Sequence, residues 1–278
     1  MSGAFVPRDL VRPEAVAGTF YPAQPDVLRR QVLLYIAQAS IPELPGPPRA
    51  AIAPHAGYIY SGPIAGYSYR VLQMLPPRSR VVYLMGPAHY VPVSGVAVGA
   101  FAAFRTPLGQ VPVALEIVDE LLQVGEPFVE DLHAHQPEHS LEVQVPFLQL
   151  ALEGSFRLVP LLFGQVDPRA VAAVLGDLIA RDPDALVVVS SDLSHYHTYE
   201  VARRIDRELL VALEREDPAG VVRGEACGVF PILTLMWIAR RLHWRPHLLD
   251  YRNSGDTAGD RSHVVGYAAV AYTEEAPS

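Results

Sequence analysis

The sequence contains no lysine: all 22 of its Lys-plus-Arg positions are arginine. That absence excludes every chemistry that needs a lysine amine, including the phosphate-gripping lysine of a P-loop, a Schiff-base nucleophile and a pyridoxal-phosphate anchor. Cysteine is almost as scarce. Cys227 stands alone, so no internal disulfide can form, which fits a reducing, cytoplasmic setting. No apolar run approaches the roughly 18 residues that span a bilayer. The stretch MSGAFVPRDLVRPE at the amino end lacks the apolar centre of a signal peptide, and no membrane association is expected. Positive charge is not clustered and the net charge is −8, so nucleic acid is not expected as a partner. The G-x-G-x-x-G dinucleotide loop, the G-x-S-x-G elbow and the H-E-x-x-H zinc helix are missing too.

What the chain does have is core-forming material, with 50% hydrophobic residues among 278. A helix is expected from Pro25-Asp26, with Leu28, Val32, Tyr35 and Ile36 on one face. From Arg49 onwards strands and helices alternate. Strand patterns cover Arg49–Ala53, Arg80–Met85, Gly95–Gly99, Arg157–Phe163, Ala185–Val189, Leu248–Tyr251 and Val264–Tyr272. Helical patterns cover Ile64–Met74, Leu115–Val124, Pro168–Ala180, Glu200–Arg215 and Ile232–Leu242. FRTPLG (104–109) and RNSGD (252–256) read as turns, the second able to cover a site. With no break in composition, the expectation is one α/β domain over residues 1–278, three-layered α/β/α, with a mostly parallel or mixed sheet.

The chemistry gathers where strands stop. Ala185–Val189, a run fit for burial on both faces, breaks abruptly into Ser190, Ser191, Asp192, Ser194, His195 and His197. In open α/β sheets the crevice outside the carboxyl ends of the strands is where ligands bind, although such residues also serve simply as turns and helix caps. His55 follows Arg49–Ala53 and His89 follows Arg80–Met85 in the same manner. If the two strands are neighbours, about 4.8 Å apart, both imidazoles can converge on one ion. His133 and His135, in the polar stretch Asp131–His139, read as surface residues, with a second metal site as the alternative. His139 and Glu142, at i and i+3, share a face at the start of a helix and serve either as caps or as pocket residues. Cys227, in GEACGVFP ahead of an apolar helix, suits a thiolate nucleophile, a metal ligand or an ordinary buried cysteine.

Read together, AVAGTFYP (15–22), PHAGYIYSG (54–62), GPAHY (86–90), TPLG (106–109), EHSLEVQVPF (138–147), SSDLSHY (190–196) and ACGVFPI (226–232) resemble the Memo family. Its bacterial and archaeal members are called AmmeMemoRadiSam system protein B. The likeness covers nearly the whole chain and implies similarity to the class III extradiol dioxygenases, non-haem iron enzymes of α/β/α fold. By that resemblance His55, His89 and Cys227 match metal-binding positions, Asp192 and His195 match the polar partners that serve catalysis, and His139 lies in a shared motif. The dioxygenases hold Fe(II) with two histidines and a carboxylate, so a thiolate here is a departure. Fe(II) is favoured by the resemblance, with copper or zinc also compatible with sulfur, and dioxygenase activity does not follow from the fold. The resemblance implies a metal-dependent oxidoreductase or redox protein acting on a small molecule or peptide in the cleft. The family name implies a functional link to a radical-SAM protein. Two alternatives stand: a metal-free hydrolase or transferase pairing Cys227 with His55 or His195, and a non-enzymatic module that docks a peptide or a partner enzyme in the same cleft.

Overall fold

A computed structural model describes residues 9–152 and 155–275. In chain order its elements are β1 (Val11–Arg12), α1 (Pro25–Gln38), β2 (Pro48–Ala53), α2 (Tyr58–Gln73), β3 (Arg80–Pro87), β4 (Val96–Val98), β5 (Ala103–Thr106) and β6 (Gly109–Pro112). Then follow α3 (Leu115–Val124), β7 (Phe128–Glu130), α4 (Leu132–His135), α5 (Val145–Ala151), β8 (Phe156–Phe163), α6 (Pro168–Arg181), β9 (Leu186–Ser190) and β10 (His195–His197). The chain closes with α7 (Tyr199–Glu214), α8 (Pro218–Arg223), α9 (Val229–Leu242), β11 (Trp244–Asn253), α10 (Ser254–Thr257) and β12 (Val264–Glu274).

The fold is α/β with a mixed main sheet. Its centre, β2-β9-β3-β8, is all parallel, while β12 runs antiparallel to β2, and β4 antiparallel to β8. Every residue of β3 and β9 is buried, as the continuous apolar runs required. The chain crosses the sheet one way from β2 through α2 to β3, and the other way from β8 through α6 to β9. Right-handed crossovers put those helices on opposite faces. α1 and α5 pack with α2, and α9 packs with α6, so helices cover both sides. Among the described residues no helix is long and apolar enough to cross a membrane.

Two features bear on the site. β11 pairs along almost the whole of β12, which leaves the other edge of β12 to be shared. β2 takes Val270–Thr273 and β10 takes Val264 and Val265, so β10 sits just beyond the carboxyl end of β2. Secondly, the segment 135–142 is clamped from the amino-terminal side. Arg12 is 3% exposed, pairs with Glu142 at 2.6 Å, and donates to the carbonyls of His135 and Glu138 at 2.8 and 2.6 Å.

Several elements differ from expectation. α2 begins at Tyr58, six residues early, and takes in Gly62, a poor helix former whose lack of a side chain serves the contact with α1: a Cβ there would stand 2.4 Å from the Tyr35 ring. The stretch read as a turn at 104–109 belongs to a β5–β6 hairpin that joins β1 in a second, three-stranded sheet. RNSGD is the end of β11 running into α10, with Asn253 and Asp256 forming a capping box.

Candidate metal centre

β2, β9 and β3 finish at one edge of the sheet, and each is followed two residues later by a reactive side chain: His55, Asp192 and His89. The two histidines do not follow neighbouring strands, as their order in sequence suggested. β9 lies between β2 and β3, yet the rings meet over its end, edge to face, with centroids 5.1 Å apart. Cys227 arrives from the turn before α9. Its amide donates to the Asp192 carbonyl at 3.2 Å, and the Asp192 amide donates to its Sγ at 3.2 Å. That approach needs a glycine next door, since a Cβ on Gly228 would stand 2.7 Å from Ser191 Cβ. The outcome is a triad, His55, His89 and Cys227, whose ligand atoms lie within 4.8 Å of one another.

The surrounding hydrogen bonds fix which ring nitrogens are free. Ser190 Oγ has one proton, and it goes to the Ser140 carbonyl at 2.5 Å. Its lone pairs must therefore accept from Gln144 Nε2 at 2.7 Å and from His55 Nδ1 at 2.9 Å. With its proton on Nδ1, His55 turns a bare Nε2 towards Cys227 Sγ, 3.2 Å away. His89 is treated alike. An ionised carboxylate only accepts, so the 2.9 Å contact between His89 Nδ1 and Glu138 Oε1 is a donation from the ring. The His89 amide at 2.6 Å and the Ser140 amide at 2.9 Å complete the coordination of Glu138. Both imidazoles are held as metal-binding histidines are, with the far nitrogen locked by an outer partner.

Electrostatics agree. Burial, reinforced by His89, lowers the His55 pKa to about 3, which keeps the ring neutral. Burial alone would raise Glu138, but its hydrogen bonds from His89 and Ser140 outweigh that and bring it to about 2. Burial and then the Asp192 charge push the Cys227 thiol up to about 12. Asp192 is itself raised by burial, against the donation from the His55 amide at 2.7 Å.

A cavity of about 620 Å³ is lined by His139, Asp192 and His195 among others; none of the three triad side chains lines it, and its nearest links to them are Ala56, which follows His55, and His139. His195 is aimed by a bulge: His195 and His197 pair with the successive residues Val265 and Val264, and the intervening Tyr196 takes φ 62°. His139 stacks on His89 at 4.6 Å and lies edge-on to His55 at 5.4 Å. Its pKa falls to about 4, mainly through burial, and its buried Nδ1 lacks a hydrogen bond. Ligand atoms of His89, Glu138 and His139 also lie within 4.8 Å of one another. Both Glu138 oxygens, however, already accept hydrogen bonds, so this group is the support of His89.

Glu142 is not a pocket residue. It accepts from Arg12, from the amides of Ala15 and Val16 and from the Tyr21 hydroxyl, and anchors the segment that carries Glu138. His135 is not on the surface either: it is 1% exposed, with Nε2 at 3.0 Å from the Ala97 carbonyl. The sequence reading passed over Glu138, Gln144 and Tyr69, whose hydroxyl fixes the Gln144 amide at 2.6 Å. The first two stand inside EHSLEVQ, where a carboxylate beside His139 was the available signal. Tyr69 gave none.

With that geometry in place, the chain can be set beside known proteins. The sequence pattern that defines Memo-like proteins matches residues 12–271. A MEMO1 family protein of Sulfolobus acidocaldarius is 35% identical, over 95% of this chain and 99% of its own. Another from Ignicoccus hospitalis is 38% identical over 95% and 99%, and one from Methanopyrus kandleri 36% identical over 94% and 98%. The match spans the strand ends and the turn that carry the triad, and this chain is a member of the Memo family.

Proposed function

We propose that this protein is a non-haem metal-dependent oxidoreductase, or a redox metal protein, whose ion is bound by His55, His89 and Cys227. The observation that carries this reading is the convergence of two bare imidazole nitrogens and one thiol within 4.8 Å. The donor set fits a transition ion: imidazole suits iron, copper and zinc, and thiolate adds softness. Fe(II) is the ion we favour, by the family's likeness to the dioxygenases. A bound ion would supply a redox-active Lewis acid at the edge of the cavity. The chain's own part is to present His55 and His89 without ring rotation and to release the Cys227 proton on binding, which makes uptake pH-dependent. His195 reaches the same cavity and is proposed to take or return a proton there. Asp192 holds the His55 and Cys227 backbones in register. The single cysteine suits a reducing cytoplasm, and the ligand is a small molecule entering the cavity.

The test is elemental analysis of untagged protein prepared without chelator, together with three variants. His55→Ala and His89→Ala should lose the metal, and His195→Ala should keep most of it. Oxygen-consuming or redox activity should fall in all three, by roughly 10²–10⁴-fold in His195→Ala. Metal-free but folded His195→Ala would make His195 a ligand and overturn this division of roles.

One observation favours a second reading. Cys227 Sγ lies 3.2 Å from His55 Nε2, and His55 is oriented by Ser190, the arrangement of a nucleophile, base and orienting group. Against it, the thiol is pushed up to about 12 and His55 down to about 3, so proton transfer between them is strongly uphill. Alkylation decides between the two: a ligand cysteine reacts more slowly once metal is bound, while a nucleophile is indifferent to it.

A further inference from the structure

Four carboxylates are buried among the described residues. Asp192, Glu138 and Glu142 serve the triad or the segment beside it, whereas Asp206, on α7 and 0% exposed, serves neither. It forms no ion pair with any described residue, so its burial must be met by hydrogen bonds. Oδ1 accepts from the Ser194 amide at 3.0 Å and Oδ2 from the Tyr251 hydroxyl at 2.8 Å. Burial raises its pKa against those two donations. A Cβ on Gly266 would stand 2.0 Å from Oδ2, so the carboxylate lies against the β12 backbone at a place that only glycine leaves open.

Each of these contacts lies close to the cavity. Ser194 precedes His195, and Gly266 stands between the cavity residues Val265 and Tyr267. The Leu193 amide donates to the Gly266 carbonyl at 2.8 Å, and the Gly266 amide to the Ser194 carbonyl at 2.9 Å. Those bonds leave the Ser194 amide without a backbone acceptor, and Asp206 receives it. Tyr251 lies on β11, three residues before Ser254, which also lines the cavity. We propose that Asp206 is the positioning residue of His195. By receiving the Ser194 amide on one oxygen and the Tyr251 hydroxyl on the other, it fixes residues 194–196 against β11 and β12 and so sets where the His195 imidazole points. The inference rests on His195 being the proton carrier of the function above, and not on the identity of the ion.

The test is NMR of the full-length, metal-free protein with labelled histidine rings, together with amide exchange. Asp206→Ala should shift the His195 ring signals and speed exchange of the Ser194 amide by about 10- to 100-fold, the loss of one hydrogen bond to a charged acceptor. Gly266→Ala, which keeps the carboxylate but takes its place, should do the same. Asp206→Asn should return both towards the parent, because its carbonyl can accept from the Ser194 amide and its NH₂ can donate to the Tyr251 oxygen. Leu209→Ala trims a buried side chain of the same helix; it should lower the melting temperature and leave both readouts alone. Zinc uptake should be kept in every variant. His195 signals unmoved in Asp206→Ala, or moved as far by Leu209→Ala, overturn the proposal. So does loss of zinc uptake in Asp206→Ala, which would make Asp206 a prop of the whole sheet edge. Should Asp206→Ala not fold, the unsubstituted protein decides: a scalar coupling between the Ser194 amide nitrogen and the Asp206 carboxylate carbon is expected, and its absence overturns the proposal. Full activity in His195→Ala would instead count against the proton-carrying role, while the NMR results still test Asp206.

Discussion

Replacing Glu138 by glutamine asks whether the support of His89, and not only the proposed ligand itself, sets the affinity of the proposed metal site. The carboxylate is 2% exposed and accepts three N–H bonds, from the His89 amide, His89 Nδ1 and the Ser140 amide. A glutamine has one oxygen and one NH₂. Whichever way it turns, an NH₂ group faces an N–H that the carboxylate used to receive. If it faces His89 Nδ1, the ring relieves the clash by moving its proton to Nε2, the nitrogen proposed to bind the ion. Losing a partner of this kind typically costs 10–100-fold in affinity, or about 1.4–2.7 kcal/mol. The assay is a competition titration with zinc and a chromophoric chelator, paired with nitrogen NMR that reports which His89 nitrogen is protonated. Glu138→Gln should bind less tightly by that factor and show His89 shifted towards the Nε2–H form. Affinity within about twofold of the parent, in a variant whose His89 has changed tautomer, would refute the argument that the tautomer matters.

Other expectations follow from the same geometry. Gly228→Ala places a methyl 2.7 Å from Ser191 Cβ and 2.9 Å from the Ser190 carbonyl; it should lose about 1–3 kcal/mol by overpacking and weaken metal binding, both read by urea melts with and without zinc. His135 is buried neutral, its pKa lowered from 6.5 to about 4, chiefly by burial. The unfolded chain takes up that proton below 6.5 and the folded chain only near 4, so its contribution is complete above 6.5 and is lost as pH falls through that window. The shift is worth about 3 kcal/mol, and urea stability of His135→Gln should fall less steeply than the parent's between those pH values. Iodoacetamide should modify Cys227 more slowly in zinc-loaded than in metal-free protein, and equal rates would tell against ligation.

The parts of the fold legible in the sequence are those governed by continuous burial. β3, β8 and β9 each carry a long apolar run and could be placed to within a residue or two. β11 was seen only as Leu248–Tyr251, because most of the strand is half-buried and its pattern neither alternates nor runs. Strand order was out of reach, since nothing local says that β9 enters between β2 and β3. The site shows the same division. Polarity changes so sharply at Ser190, and at the ends of β2 and β3, that His55, His89 and Asp192 could be picked out residue by residue. Glu142 was misplaced because spacing of three assumes a helix. Residues 139–141 precede the helical turn, and Arg12, 130 residues away, claims the carboxylate.

The insertion of β9 has a consequence for the order in which the molecule can be made. β2 and β3 leave the ribosome about a hundred residues before the strand that separates them, and Cys227 comes later still. Until then the two histidine-bearing strands have no fixed spacing, and neither ring has the Ser190 contact or the thiol that complete its surroundings. A nascent chain, folding from its amino end, therefore offers scattered imidazoles and not a binding site. The triad comes into being only when the sheet closes and α9 docks. If the triad takes an ion as proposed, capture is thereby postponed to a finished chain, and a truncated product would lack the means to hold a reactive metal.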